Sequence, residues 1–98
     1  MYCIGCLKQM LQKLNDNDVI LLEYLYNENA NIPQCSLSWQ TMIDHYKDNE
    51  TVTPHIVYTS IKRLNIFGFV ETQRWTRKNK FYITQDGIKL LEIIQQNI

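Results

Sequence analysis

Residues 51–71 read TVTPHIVYTSIKRLNIFGFVE, and this stretch decides how the rest of the chain is read. Thr53 is a helix-capping type, and Pro54 follows at the first helical position, where a missing N–H costs nothing. Val57, Ile61 and Leu64 recur at i, i+4 and i+7 and make one apolar face. Gly68 supplies a left-handed stop, and the apolar pair Phe69-Val70 starts the next element. On the opposite side of the wheel His55, Thr59 and Lys62 lie together, with Arg63 beside them and Tyr58 at the edge. No Asp or Glu occurs between residues 51 and 70. A face of donors without acids can approach base edges and phosphates in a DNA major groove. The alternative is a merely solvated face, although exposed helices usually carry acids to balance their bases. Ile66 points with Thr59 and Lys62, away from the core.

Upstream, Trp39, Met42, Ile43 and Tyr46 predict a short helix at about 38–47, capped by Ser36 or Ser38. Both serines are weak candidates for a DNA phosphate at a helix N-terminus, and plain capping explains them as well. Downstream, FVETQRW at 69–75 and KFYIT at 80–84 predict two strands joined by TRKN. The hairpin carries Arg74, Arg77, Lys78 and Lys80 on or beside its tip. These bases suit phosphate contacts; a hairpin charged only to resist edge-to-edge pairing is the alternative. Trp75 packs against the core at the hairpin base or on a sugar. Thr84 or Asp86 caps a last helix at 85–97. Ile88, Leu91, Ile94 and Ile98 form its stripe, widened by Leu90 and Ile93.

At the other end, Ile4, Leu7, Leu11 and Leu14 are spaced 3, 4, 3, a coiled-coil-like seam on a helix at about 3–14. Gly5 weakens its first turn. A second helix at 17–27, capped by Asn15 or Asp16, is apolar nearly all round, which suggests cover from a second subunit. A polar loop containing Pro33 follows at 27–36. The expected order is α-α-α-α-β-β-α: a mainly α chain with a small β-hairpin, in the α+β class, forming a single domain over 1–98. Ile4, Leu7, Leu11, Leu14, Leu91, Ile94 and Ile98 are the expected dimer interface.

The run V-x-x-x-I-x-x-L-x-x-x-G-F-V-E, a basic hairpin, and then F-Y-I-T-x-D-G-I-K-L-L resembles the winged helix-turn-helix of transcription regulators. Within that fold the pattern resembles the MarR-like and PadR-like groups. The resemblance rests on Leu64 four residues before Gly68, on Phe69-Val70, and on Tyr82-Ile83-Thr84 with Gly87. It covers about residues 38–92. It implies that 54–67 is a recognition helix and that the hairpin is a wing touching a flanking minor groove or the backbone. The wing tip carries two bases and lacks the Asp-Arg pair of MarR-like wings.

Formal net charge is zero, but it is unevenly spread. Residues 1–52 hold three Lys against seven acids, a net of −4, and residues 53–98 hold seven bases against three acids, a net of +4. A partner meets the local field rather than the sum. The chain is 45% hydrophobic, enough for a core, and no run approaches a membrane span or a signal peptide, so a cytoplasmic protein is expected.

There are three cysteines, Cys3 and Cys6 in a C-x-x-C and Cys35 alone. The pair reads as half a zinc site, a redox or intersubunit disulfide pair, or two small side chains in passive packing or an exposed tail, the last being the leading reading. His45 and His55 are not at ligand spacing for zinc, and neither metal nor cofactor is expected. There is no Gly-rich phosphate loop, nucleophile elbow or His-Glu-x-x-His, so no enzyme is expected. The expected function is sequence-specific binding of double-stranded DNA as a homodimeric transcriptional regulator. A winged-helix protein-interaction module is the alternative, and a plasmid- or virus-encoded replication accessory factor is a variant of the first.

Overall fold

The helix at Asp16–Asn27 turns Leu21, Leu22, Tyr24 and Leu25 into the core and leaves Ile20 and Tyr26 exposed. The computed structural model describes residues 3–73 and 80–96. Its elements are α1 (Ile4–Leu11), α2 (Asp16–Asn27), a 3₁₀ turn (Pro33–Cys35), β1 (Leu37–Ser38), α3 (Trp39–His45), α4 (Pro54–Ile66), β2 (Val70–Gln73), β3 (Lys80–Ile83) and α5 (Gln85–Gln96). Leu21, Leu22 and Leu25 of α2 are fully buried, and α2 packs against α4, α5 and β3. Val57, Ile61 and Leu64 of α4 close on it from one side, and Leu90 and Leu91 of α5 from another. Each such side chain contributes about 1.5–3 kcal/mol of burial free energy.

The helix ends follow their capping chemistry. Asn15 and Asp18 form a reciprocal capping box at the start of α2. Thr53 Oγ1 accepts the Ile56 N–H at 3.3 Å and Ser38 Oγ accepts the Thr41 N–H at 3.3 Å. Gly68, at φ 82°, ends α4. Its N–H reaches the Asn65 carbonyl and the Phe69 N–H reaches Leu64, the two bonds of a Schellman stop. Asn29, at φ 59°, ends α2 in the same way with Ala30.

Two features depart from the sequence expectation. The hairpin is part of a three-stranded antiparallel sheet in the order β1-β3-β2, with Leu37 opposite Phe81 and Ser38 opposite Lys80. A two-residue strand has no periodicity to read; it follows the loop expected at 27–36 and takes Ser38 from the start of the helix expected at 38–47. The second departure concerns the seam. Leu7 and Leu91 are 1% and 2% exposed within the single chain, where α1 packs on α5, so neither is free for a dimer partner. Leu11, Leu14 and Ile94 are partly buried on the same core, whereas Ile4 is 66% exposed. The expected interface residue Ile98, Trp75, and the expected wing residues Arg74, Arg77 and Lys78 all lie outside the described residues. Among the described residues no helix is long and apolar enough to cross a membrane.

Candidate nucleic-acid interface

The candidate surface is the outward side of α4 together with the hairpin beside it. Burying Val57, Ser60, Ile61 and Leu64 turns the opposite residues to solvent. His55, Tyr58, Lys62 and Ile66 form an exposed stripe at helical spacing. Thr53 is exposed at the helix start, its hydroxyl engaged as the cap.

Not every expected contact residue is equally free. Thr59 is half-buried, and its hydroxyl donates to the Ile56 carbonyl at 3.1 Å. Only its lone pairs are offered outward. Arg63 is drawn to the scaffold, its Nη1 2.8 Å from both carboxylate oxygens of fully buried Asp18. That pairing gives Arg63 a structural partner instead of a free position on the face. Among buried side-chain polar atoms of the described residues, none lacks a hydrogen bond.

An aromatic ladder steadies the exposed stripe. The Trp39 ring stacks on Tyr58 at 5.3 Å and meets Phe81 edge-on at 4.5 Å, linking α3, α4 and β3. Lys62 Nζ lies 5.8 Å from the centre of the Tyr58 ring, within cation–π range. Sequence reading placed Trp39 in the apolar stripe of its helix and missed this ladder. The signal was the concentration of aromatic side chains on three elements that meet only once folded. Between the stripe and the sheet runs an open groove of about 380 Å³, with Ile66 and Thr72 on its walls. Ile66 is 71% exposed there, as the helical wheel required.

The hairpin is fixed to the end of α4 by hydrogen bonds. Asn65 Nδ2 donates to the Val70 carbonyl at 3.1 Å and to Thr72 Oγ1 at 3.0 Å. Thr84 Oγ1 donates to the Gly68 carbonyl at 2.7 Å and accepts the Gly87 N–H at 3.1 Å. One hydroxyl thus ties the α4 stop, the end of β3 and the first turn of α5 together. Gly87 is needed because a Cβ there would lie 2.5 Å from the Phe69 carbonyl oxygen. Lys80 sits half-buried at the start of β3, on the turn side of the hairpin, paired in register with Gln73 and Ser38.

Ser38 caps α3 and shares a further hydrogen bond with Thr41 at 3.0 Å. Ser36 instead donates to the Pro33 carbonyl at 2.8 Å, closing the 3₁₀ turn. It is therefore not at the helix N-terminus where a phosphate would be held. His45 is exposed and packs its ring on Tyr24 at 4.2 Å, away from α4.

No family model matches the sequence, and no curated protein matches it. Among solved structures the chain superposes on TubR from Bacillus megaterium pBM400 with a TM-score of 0.76 at 19% identity. The match covers 91% of this chain and 94% of that one. Five helices and a three-stranded sheet among the described residues, with this superposition, give the chain the winged-helix fold.

Proposed function

We propose that the chain binds double-stranded DNA, laying α4 in the major groove and its hairpin on the flanking backbone or minor groove. One observation carries this reading. The outward stripe of α4 holds His55, Tyr58 and Lys62, all exposed, with no acid on the helix, and the sequence that follows it carries Arg74, Arg77, Lys78 and Lys80, the first three outside the described residues. His55 and Lys62 are the base-edge candidates, Thr53 and Thr59 lesser ones, and Arg77, Lys78, Arg74 and Lys80 the phosphate candidates. Such a division separates specificity from affinity. The role is that of a transcriptional regulator, as the MarR-like and PadR-like motifs imply.

The binding form is a homodimer, which presents two α4 helices to major grooves about 34 Å apart. Of the expected interface, Ile4 is exposed and Leu11, Leu14 and Ile94 are half-covered, and Ile20 of α2, outside that set, is exposed as well. Selection of bound duplexes from a random pool tests the proposal. A recovered motif with two-fold symmetry supports it, and a pool no different from the input contradicts it.

A protein-interaction module is the second reading. It is favoured by Tyr58 and Ile66, 51% and 71% exposed on the same face, and by the zero net charge.

A further inference from the structure

The C-x-x-C lies at the start of α1, outside the α4 face and the hairpin that the DNA-binding reading assigns to DNA. Cys3 is the N-cap of α1, and its Sγ accepts the Cys6 N–H at 3.3 Å. The two sulfurs are hydrogen-bonded 3.0 Å apart. Both residues are exposed, so neither fills the core, and a small disulfide has open access to them. No acid stands in the first turn of α1, and Lys8 lies in its last.

We propose that Cys3 and Cys6 form a thiol–disulfide exchange site for low-molecular-weight disulfides, with Cys3 the attacking thiol and Cys6 the resolving one. The helix N-terminus and the Cys6 amide stabilise negative charge on Cys3. The sulfur contact with Cys6, then the hydrogen bond from the Cys6 amide, lowers the Cys3 thiol from its ordinary value. The same sulfur contact, then the charge on Cys3, raises Cys6, so the two thiols have different parts. The Cys3 thiolate attacks one sulfur of R–S–S–R, forming Cys3–S–S–R and releasing one thiolate RS⁻. Cys6 then loses its proton and attacks Cys3 Sγ, which closes the Cys3–Cys6 bond and releases the second RS⁻. The two thiols are oxidised by two electrons, the external disulfide is reduced by two, and both protons end on the released thiols. Residues three apart at a helix start are within the span a disulfide needs.

The test equilibrates the full-length chain with glutathione buffers of increasing oxidised fraction. The reaction is then quenched in acid, free thiols are alkylated, and the products are read by intact mass and peptide mapping. The expected result is one transition from three free thiols to one, in a monomer-mass species linked Cys3 to Cys6 and reversed by excess dithiothreitol. Cys6→Ser should stop the reaction as a glutathione adduct on Cys3, and Cys35→Ser should leave the transition in place. Iodoacetamide should label Cys3 about tenfold faster than Cys35. Three free thiols in the most oxidised buffer would overturn the proposal. So would glutathione on Cys35 without a Cys3–Cys6 bond, or equal labelling rates at Cys3 and Cys35.

Discussion

Arg63 of α4 joins Asp18 of α2 through one guanidinium nitrogen, 2.8 Å from each carboxylate oxygen. Asp18 is fully buried and also accepts the Asn15 N–H at 3.1 Å, so one carboxylate serves both the α2 cap and the seating of α4. Arg63→Met should cost about 2–3 kcal/mol in urea denaturation, near the low end for a broken buried pair because Arg63 is 36% exposed. Asp18→Leu combined with Arg63→Met should recover much of that loss. At temperatures where the variant is folded, its DNA sequence preference should match that of the wild type. A changed preference would return Arg63 to the reading face.

Gly87→Ala should destabilise the chain although alanine favours helices. Its Cβ would meet the Phe69 carbonyl oxygen at 2.5 Å and Ile83 Cγ1 at 2.7 Å, and a backbone carbonyl cannot swing aside. Overpacking of this kind costs about 1–3 kcal/mol. Thr84→Val removes the two bonds that join Gly68 to Gly87 and should cost about 1–2 kcal/mol. Denaturant midpoints check both, and unchanged midpoints would show that the corner can relax.

Lys62→Ala and His55→Ala should change which duplexes are selected. Both side chains are exposed on the stripe, and Lys62 is steadied over Tyr58. Lost base-edge contacts cost about 1–3 kcal/mol at the positions they read. The readout is the selected sequence compared between variant and wild type. An unchanged motif at lower affinity would make these residues phosphate contacts.

Tyr46 gives an alkaline signature. Burial, then the neighbouring Tyr24 and Glu23, pushes its phenol up to about 12. A raised phenol holds its proton more tightly in the folded chain. Its contribution to stability is complete below about pH 10 and is lost between there and about 12. Tyr46→Phe should flatten that part of the stability curve, measured by denaturant midpoint against pH.

Much of the fold was legible because its signals are local. Thr53-Pro54 and Gly68 bounded α4 to within a residue, and its apolar spacing named its core face. Gly87 was visible as part of a motif, but the Phe69 carbonyl that makes a side chain intolerable there belongs to another element. Long-range facts were not legible. Arg63 and Lys62 look alike on a wheel, and only Asp18, 45 residues away, separates them. Leu7 and Leu91 looked like a seam for a second chain because a wheel cannot say which neighbour covers an apolar stripe. They cover the same core. Strand β1 is two residues long and shows itself only through its pairing with Phe81 and Lys80.

The most direct test of the DNA-binding account is fluorescence anisotropy with random-sequence duplex DNA between about 50 and 200 mM salt. Wild type is compared with Arg77→Ala/Lys78→Ala. The account predicts binding that weakens steeply with salt, and a log–log slope shallower by about 0.9 for each wing phosphate contact removed. Absence of binding at the lowest salt, or identical slopes for the two proteins, would contradict it.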